Sequence, residues 1–158
     1  MGMIGLYKAV PDHLVKKLAA GDFTTEELFS LSGEKLDIDK AWQGIHYVLT
    51  GKDYDGVQPL GNVVPMLDDQ SLDLHDFSVF YLYPEQVKAA VEAISEYSQE
   101  QFTDKFEQNN PIEEQVYPAG SDEDYQEFLE YLFQYFTALQ SFYRSIAAAG
   151  NGVIFYII

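Results

Sequence analysis

"AAAGNGVIFYII", residues 147–158, is the stretch whose reading decides the architecture. Gly150 and Gly152 end a helix, since glycine enters the left-handed conformation that helix C-termini use at no steric cost. The segment beyond them, Val153 to Ile158, carries no charged residue. Successive side chains of a strand point to opposite faces, so a strand apolar at every position has no face to give to water. It is predicted to be central in a sheet.

Working back from that strand, one long helix fills the preceding stretch. Tyr125, Phe128, Leu129, Leu132, Phe136, Leu139, Tyr143 and Ile146 recur with helical spacing, and Tyr131, Phe133, Tyr135 and Phe142 widen the stripe. Ser121 is the predicted N-cap, with Asp122, Glu123 and Asp124 on the positive end of the helix dipole. "FSVFYLY" (77–83) has the aromatic and branched composition of a second strand, and "MIGLYKAV" (3–10) alternates as a third. Shorter helices follow Pro11, Thr24, Pro84 and Ser98; the pairs Thr24/Glu27 and Ser98/Gln101 have capping-box spacing. The expectation is α+β: several helices packed on a small mixed sheet, in a single domain over 1–158, with no internal repeat.

Between the strands lies "LDIDKAWQGIHYVLTG", residues 36–51. Ile38, Ala41, Trp42, Ile45, Val48 and Leu49 fall within an arc of about 120° on a helical wheel, which is a core face. Asp37 stands where an N-cap belongs and Gly51 where a left-handed C-cap belongs. Gly44, costly in mid-helix, predicts close packing by another backbone. Asp39, Gln43, His46 and Thr50 line the edge of the apolar face at spacings of four, three and four. With Trp42 and Tyr47 they form a candidate binding set, facing a pocket between this helix and the glycine- and proline-rich loop 51–76. His46 is its one candidate general base. The alternative is a half-buried His46 bonded to a backbone carbonyl, under a loop that Val63, Val64, Met66 and Leu67 pack down as a cover.

The chain has 26 acidic residues against 9 basic ones, a formal net charge of −17. Such a balance repels nucleic acid and anionic membrane surfaces and favours a basic protein as partner. From Phe106 to Tyr143 there is no Lys or Arg. Glu113, Glu114, Asp122, Glu123, Asp124 and Glu127 accumulate there among Tyr117, Tyr125 and Tyr131, forming a candidate partner patch. The competing reading of those acids is a solvated loop and helix face.

There is no cysteine, no Gly-x-Ser-x-Gly, no phosphate-binding loop and no dinucleotide fingerprint. Catalytic residues are therefore not assigned. The nearest approach to a metal set, His46 and His75 with Asp73 or Asp76, draws on distant segments, and neither metal nor cofactor is expected. With no signal-peptide pattern and no apolar run of membrane-spanning length, the expected location is the cytoplasm.

"MGMIG" at the start, "LDIDKAWQGIHYVLTG", "YLYPEQV" (81–87), "VYP" (116–118) and "AAAGNGVIFY" (147–156) together resemble the YfbM-like bacterial proteins, a family without established function. These segments are spread over essentially the whole chain. The resemblance implies a cytoplasmic α+β domain and supplies no activity and no catalytic residues. Two expectations thus stand side by side: a non-enzymatic protein-binding, adaptor or immunity-type module, and an enzyme or small-ligand binder built around His46.

Overall fold

The computed structural model describes residues 2–74 and 77–158. Strand β1 (Gly5–Val10) leads into helix α1 (Asp12–Ala19) and the short α2 (Thr25–Ser30), then into β2 (Lys35–Asp37). A 3₁₀ turn, Asp39–Ala41, opens α3 (Trp42–Thr50). After the loop come β3 (Ser71–Leu74), β4 (Phe77–Leu82), α4 (Pro84–Ile94), α5 (Gln99–Gln108), the long α6 (Tyr125–Ala148) and β5 (Gly152–Ile157). The class is α+β, as expected. The sheet order is β2-β1-β5-β4-β3, which puts the apolar β5 in the centre. Every pairing is antiparallel, so the sheet is not mixed in direction. Two edge strands, β2 and β3, escaped the sequence reading because each is three or four residues of half-polar pattern.

The alternation along β5 explains its composition. Val153 and Phe155 join the larger core, with Tyr7, Phe80 and Leu82 of the sheet and the apolar faces of α3, α4, α5 and α6. Ile154 and Tyr156 face the other way, into a smaller core with Val15, Leu18, Phe23 and Leu28 from α1, α2 and their connection. The sheet is thus covered on both sides, and its middle strand has no polar position to offer.

Helix ends follow local chemistry, with one correction. Ser98 Oγ accepts from the Gln101 N–H (3.1 Å) while Gln101 Oε1 accepts from the Ser98 N–H (2.9 Å), a reciprocal box that satisfies two free donors. Thr24 Oγ1 accepts from the Glu27 N–H (3.2 Å). The cap of α6 is Asp124, not Ser121: its Oδ1 accepts from the Glu127 N–H at 2.9 Å. An aspartate directly before the first helical residue caps as well as serine and adds charge at the dipole's positive end, so the cap moves to it.

The loop after α3 serves as a cover. Val63, Val64, Met66 and Leu67 are buried in the larger core. The hydroxyls of Tyr7 and Tyr143, both buried, donate to the carbonyl of Val63, each at 2.8 Å. Burial holds both phenols well above their ordinary pKa, with their protons on and available to that carbonyl.

Gly152, at the start of β5, sits where a Cβ would collide with the carbonyl oxygen of Leu82 and press on Val15 Cγ2. Because the first of these is backbone, no rotamer change relieves it. Gly152→Ala is expected to destabilise the fold by about 1–3 kcal/mol, and Phe136→Ala by about 3–5 kcal/mol. Urea midpoints of the two variants against the parent chain check both; an unchanged midpoint for Gly152→Ala would contradict the packing described.

Candidate functional site

The residues of the 36–51 stretch part company in three dimensions. Ile38, Ala41, Trp42, Ile45, Val48 and Leu49 are buried as expected, and Gly51 takes the left-handed C-cap at φ 73°. The helix, however, begins at Trp42 rather than after Asp37. Asp37 Oδ1 accepts from the Asp39 N–H (2.7 Å), and Asp39 stands at φ 52°, which breaks the helical path. Aspartate tolerates that conformation better than most residues because its short side chain bonds locally. Gly44 is indeed closely packed, but by the side chains of Leu132 and Phe128 on α6 rather than by backbone.

The polar edge is consequently dispersed. Gln43 Nε2 donates to the Asp53 carbonyl (3.1 Å), and Thr50 Oγ1 donates to the His46 carbonyl (2.8 Å), so both serve local structure. Trp42 Nε1 donates to the Met3 carbonyl (2.8 Å), and its ring packs on Tyr117 with centroids 5.6 Å apart, tying down the N-terminal segment. Tyr47 lines a shallow hollow of about 390 Å³ with Lys52, Asp53, Tyr54 and Glu114.

His46 is 0% exposed, beneath the loop. Neither ring nitrogen has a hydrogen-bond partner; the backbone of Asp55 and of Val64 lies beside the ring outside hydrogen-bonding geometry. Burial lowers its pKa, and the nearby Asp55 and Val64 backbone and the Asp55 and Asp53 carboxylates only partly oppose this. Val63, Val64, Met66 and Leu67 of the loop are buried in the core, and the hollow of about 180 Å³ between α3 and the loop is lined by Leu49, Thr50, Val57, Gln58, Pro59 and Leu60, without His46. Of the metal set, His75 and Asp76 lie outside the described residues. Among the described residues no cluster of three or more His, Asp or Glu could hold a metal ion.

What the fold does bring together is Asp39 with the acids of α6. Asp39, Lys40, Pro118, Glu123, Glu127, Phe128 and Tyr131 line an open cleft of about 420 Å³. Tyr131 is its organiser. Its hydroxyl donates to Asp39 Oδ2 (2.7 Å) and accepts from the Lys40 N–H (3.1 Å). Burial, then the bond to the Asp39 carboxylate, raises its pKa above the usual phenol value, which favours the protonated, donating form. Asp122, Asp124, which is committed to its cap, and Glu113, exposed on the 111–115 turn, do not line the cleft. Lys40, Phe128 and Pro118 were not singled out as cleft residues from sequence. The signal available was Asp37-x-Asp39, a local turn pattern that the helical periodicity around it masked.

A family model for the Domain of unknown function (DUF1877) matches residues 1–156. The chain belongs to that family. A solved structure of YfbM from Escherichia coli, described as a protein of unknown function, superposes with a TM-score of 0.75 at 22% identity, covering 98% of this chain and 99% of that one. That likeness shows the shared fold. No curated protein matches the chain. Among the described residues of this DUF1877 chain, no helix is long and apolar enough to cross a membrane.

His46 yields a pH signature. Its unfolded-state value is the ordinary 6.5 and its folded value is lower. Above the ordinary value both states are unprotonated and the residue contributes nothing. As pH falls below it, the unfolded chain binds the proton first, so stability declines until the folded pKa is passed. The urea-midpoint difference between the parent and His46→Phe is expected to be flat above about pH 7.5 and to shift against the parent as pH falls below about 6.5. A difference that stays constant down to about pH 5 would show that His46 is not held neutral by burial.

Proposed function

We propose that this chain is an acidic, cytoplasmic, non-enzymatic protein-binding module that receives a lysine or arginine side chain of a basic partner in the Asp39–Glu123–Glu127 cleft. The observation that carries the reading is the convergence itself. Two residue groups far apart in sequence, the 3₁₀ turn before α3 and the acidic entry to α6, meet around one hollow with an aromatic floor of Phe128 and Tyr131. A cation entering there gains carboxylate contact and stacks its alkyl or guanidinium portion on aromatic surface. Tyr131 fixes Asp39 before the partner arrives, which lowers the cost of ordering the site. The chain's net charge of −17 supplies long-range steering toward basic surfaces, a term that salt screens.

An immunity-type inhibitor is one form such a module takes, since occlusion of a basic protein requires charge and shape and no chemistry. The enzyme reading has less support, because its one candidate base, His46, is buried under a packed loop.

Titration of ¹⁵N-labelled protein with a tetralysine peptide tests the cleft. Saturable shifts are expected at Asp39, Lys40, Glu123, Glu127 and Tyr131, with affinity falling steeply as salt rises. The Glu123→Lys/Glu127→Lys double variant should weaken binding by about tenfold or more, while Glu92→Lys/Glu100→Lys, an equal charge change on α4 and α5, should weaken it far less. Equal losses in the two double variants would reduce the effect to net charge and remove the cleft from the reading.

A further inference from the structure

Against 26 acidic residues the chain has only 9 basic ones, yet two of those stand directly opposite each other. Lys8 on β1 and Lys35 on β2 are register partners in the antiparallel pair. Cross-strand partners share a face of the sheet with their Cβ atoms roughly 5 Å apart, and like charges so placed are destabilising. In a protein with acids to spare, neither lysine forms an ion pair among the described residues. Lys8 is only 5% exposed. Its ammonium donates to the Leu28 carbonyl (3.1 Å) and lies 5.7 Å from the Phe29 ring centroid and 6.0 Å from that of Tyr156. Burial, then the charge of Lys35, lowers its pKa.

The same register places more residues on that face. Leu6 is paired with Asp37 on one side and Tyr156 on the other, so Leu6, Lys8, Lys35, Asp37 and Tyr156 share one face of the sheet, the face on which Tyr156 enters the smaller core. They line a hollow of about 430 Å³ at the β2 edge. Its one carboxylate, Asp37, is already engaged with the Asp39 N–H rather than with either lysine. The result is a shelf with an apolar floor, Leu6 and the largely buried Tyr156, and two cations that share one nearby carboxylate without forming an ion pair to it.

We propose that this shelf is a binding site for a small organic carboxylate, its anionic head between Lys8 and Lys35 and its apolar body on Leu6 and Tyr156. The anion relieves the like-charge pairing and supplies the second counter-charge beside that of Asp37. The site lies on the sheet face covered by α1 and α2, opposite the face on which α6 carries the acidic cleft, and it selects a ligand of opposite charge. The two readings therefore stand or fall separately.

Benzoate is the probe. In ¹⁵N NMR titrations it is expected to give saturable shifts in Leu6–Lys8, Lys35–Asp37 and Tyr156 with a dissociation constant of roughly 1–10 mM, the range open to so small a ligand. Benzylammonium, of similar shape and opposite charge, should leave those amides unmoved. Lys35→Gln, at an exposed position, should weaken benzoate about threefold, and Lys8→Met about tenfold or more. Lys35→Gln decides the matter if Lys8→Met fails to fold. Absence of saturable shifts at about 20 mM benzoate, an equal response to benzylammonium, or unchanged affinity in Lys35→Gln would each overturn the proposal. An Lys35→Gln chain that self-associates through β2 while binding benzoate normally would also overturn it, leaving the lysine as a guard on an edge strand.

Discussion

The constraint on which the rest depends is that β5 must be covered on both faces. A strand whose every side chain is apolar is stable only between two layers, and the two cores supply them: α3 to α6 on one side, α1 and α2 on the other. Because β5 pairs with both β1 and β4, the chain's first and last strands are neighbours. The sheet is therefore incomplete until the last segment is in place, and its two halves are joined only through that segment. Gly152 is where this joining is tightest: the strand enters so close to the end of β4 that a methyl group has no room.

Much of this was legible because burial and periodicity agree. The stripes of α6 and of the Ile38–Leu49 stretch are core faces, and the breaker-rich loop is irregular with its four apolar residues packed inward, as the pattern predicted. What was not legible depended on local competition between equivalent signals. "GSDED" offers several capping residues, and only the geometry shows that Asp124 wins over Ser121. "LDIDKAW" continues the helical period across Asp39, yet the Asp37 carboxylate captures the Asp39 N–H and turns the backbone aside. Periodicity reports which side chains are buried; it is blind to whether the backbone between them is helical.

That one turn has a disproportionate effect on the candidate site. Had the helix begun at Ile38, Asp39 would have stood in line with Gln43, His46 and Thr50, and the polar edge would have been continuous. The positive φ at Asp39 instead places its carboxylate on the Tyr131 hydroxyl. The sequence therefore held the right residues in the wrong groups. Asp39 belongs with Glu123 and Glu127, while His46 belongs with the core.

The charge distribution then reads as an arrangement rather than an excess. On the α6 side of the sheet Asp39, Glu123 and Glu127 line a cleft whose one basic lining residue, Lys40, comes from outside the cation-free 106–143 run. On the other side two lysines share a shelf with a single carboxylate, Asp37, and form no ion pair with it, although the chain carries nearly three acids for each base. Solubility alone requires neither arrangement, because it depends on net charge and not on which residues converge. Both features instead leave electrostatic energy unsatisfied at a place large enough to admit a ligand. β2 connects them: its Lys35 faces the shelf, and the turn after it delivers Asp39 to the cleft. A three-residue edge strand, nearly invisible in the sequence, thus sets the position of both.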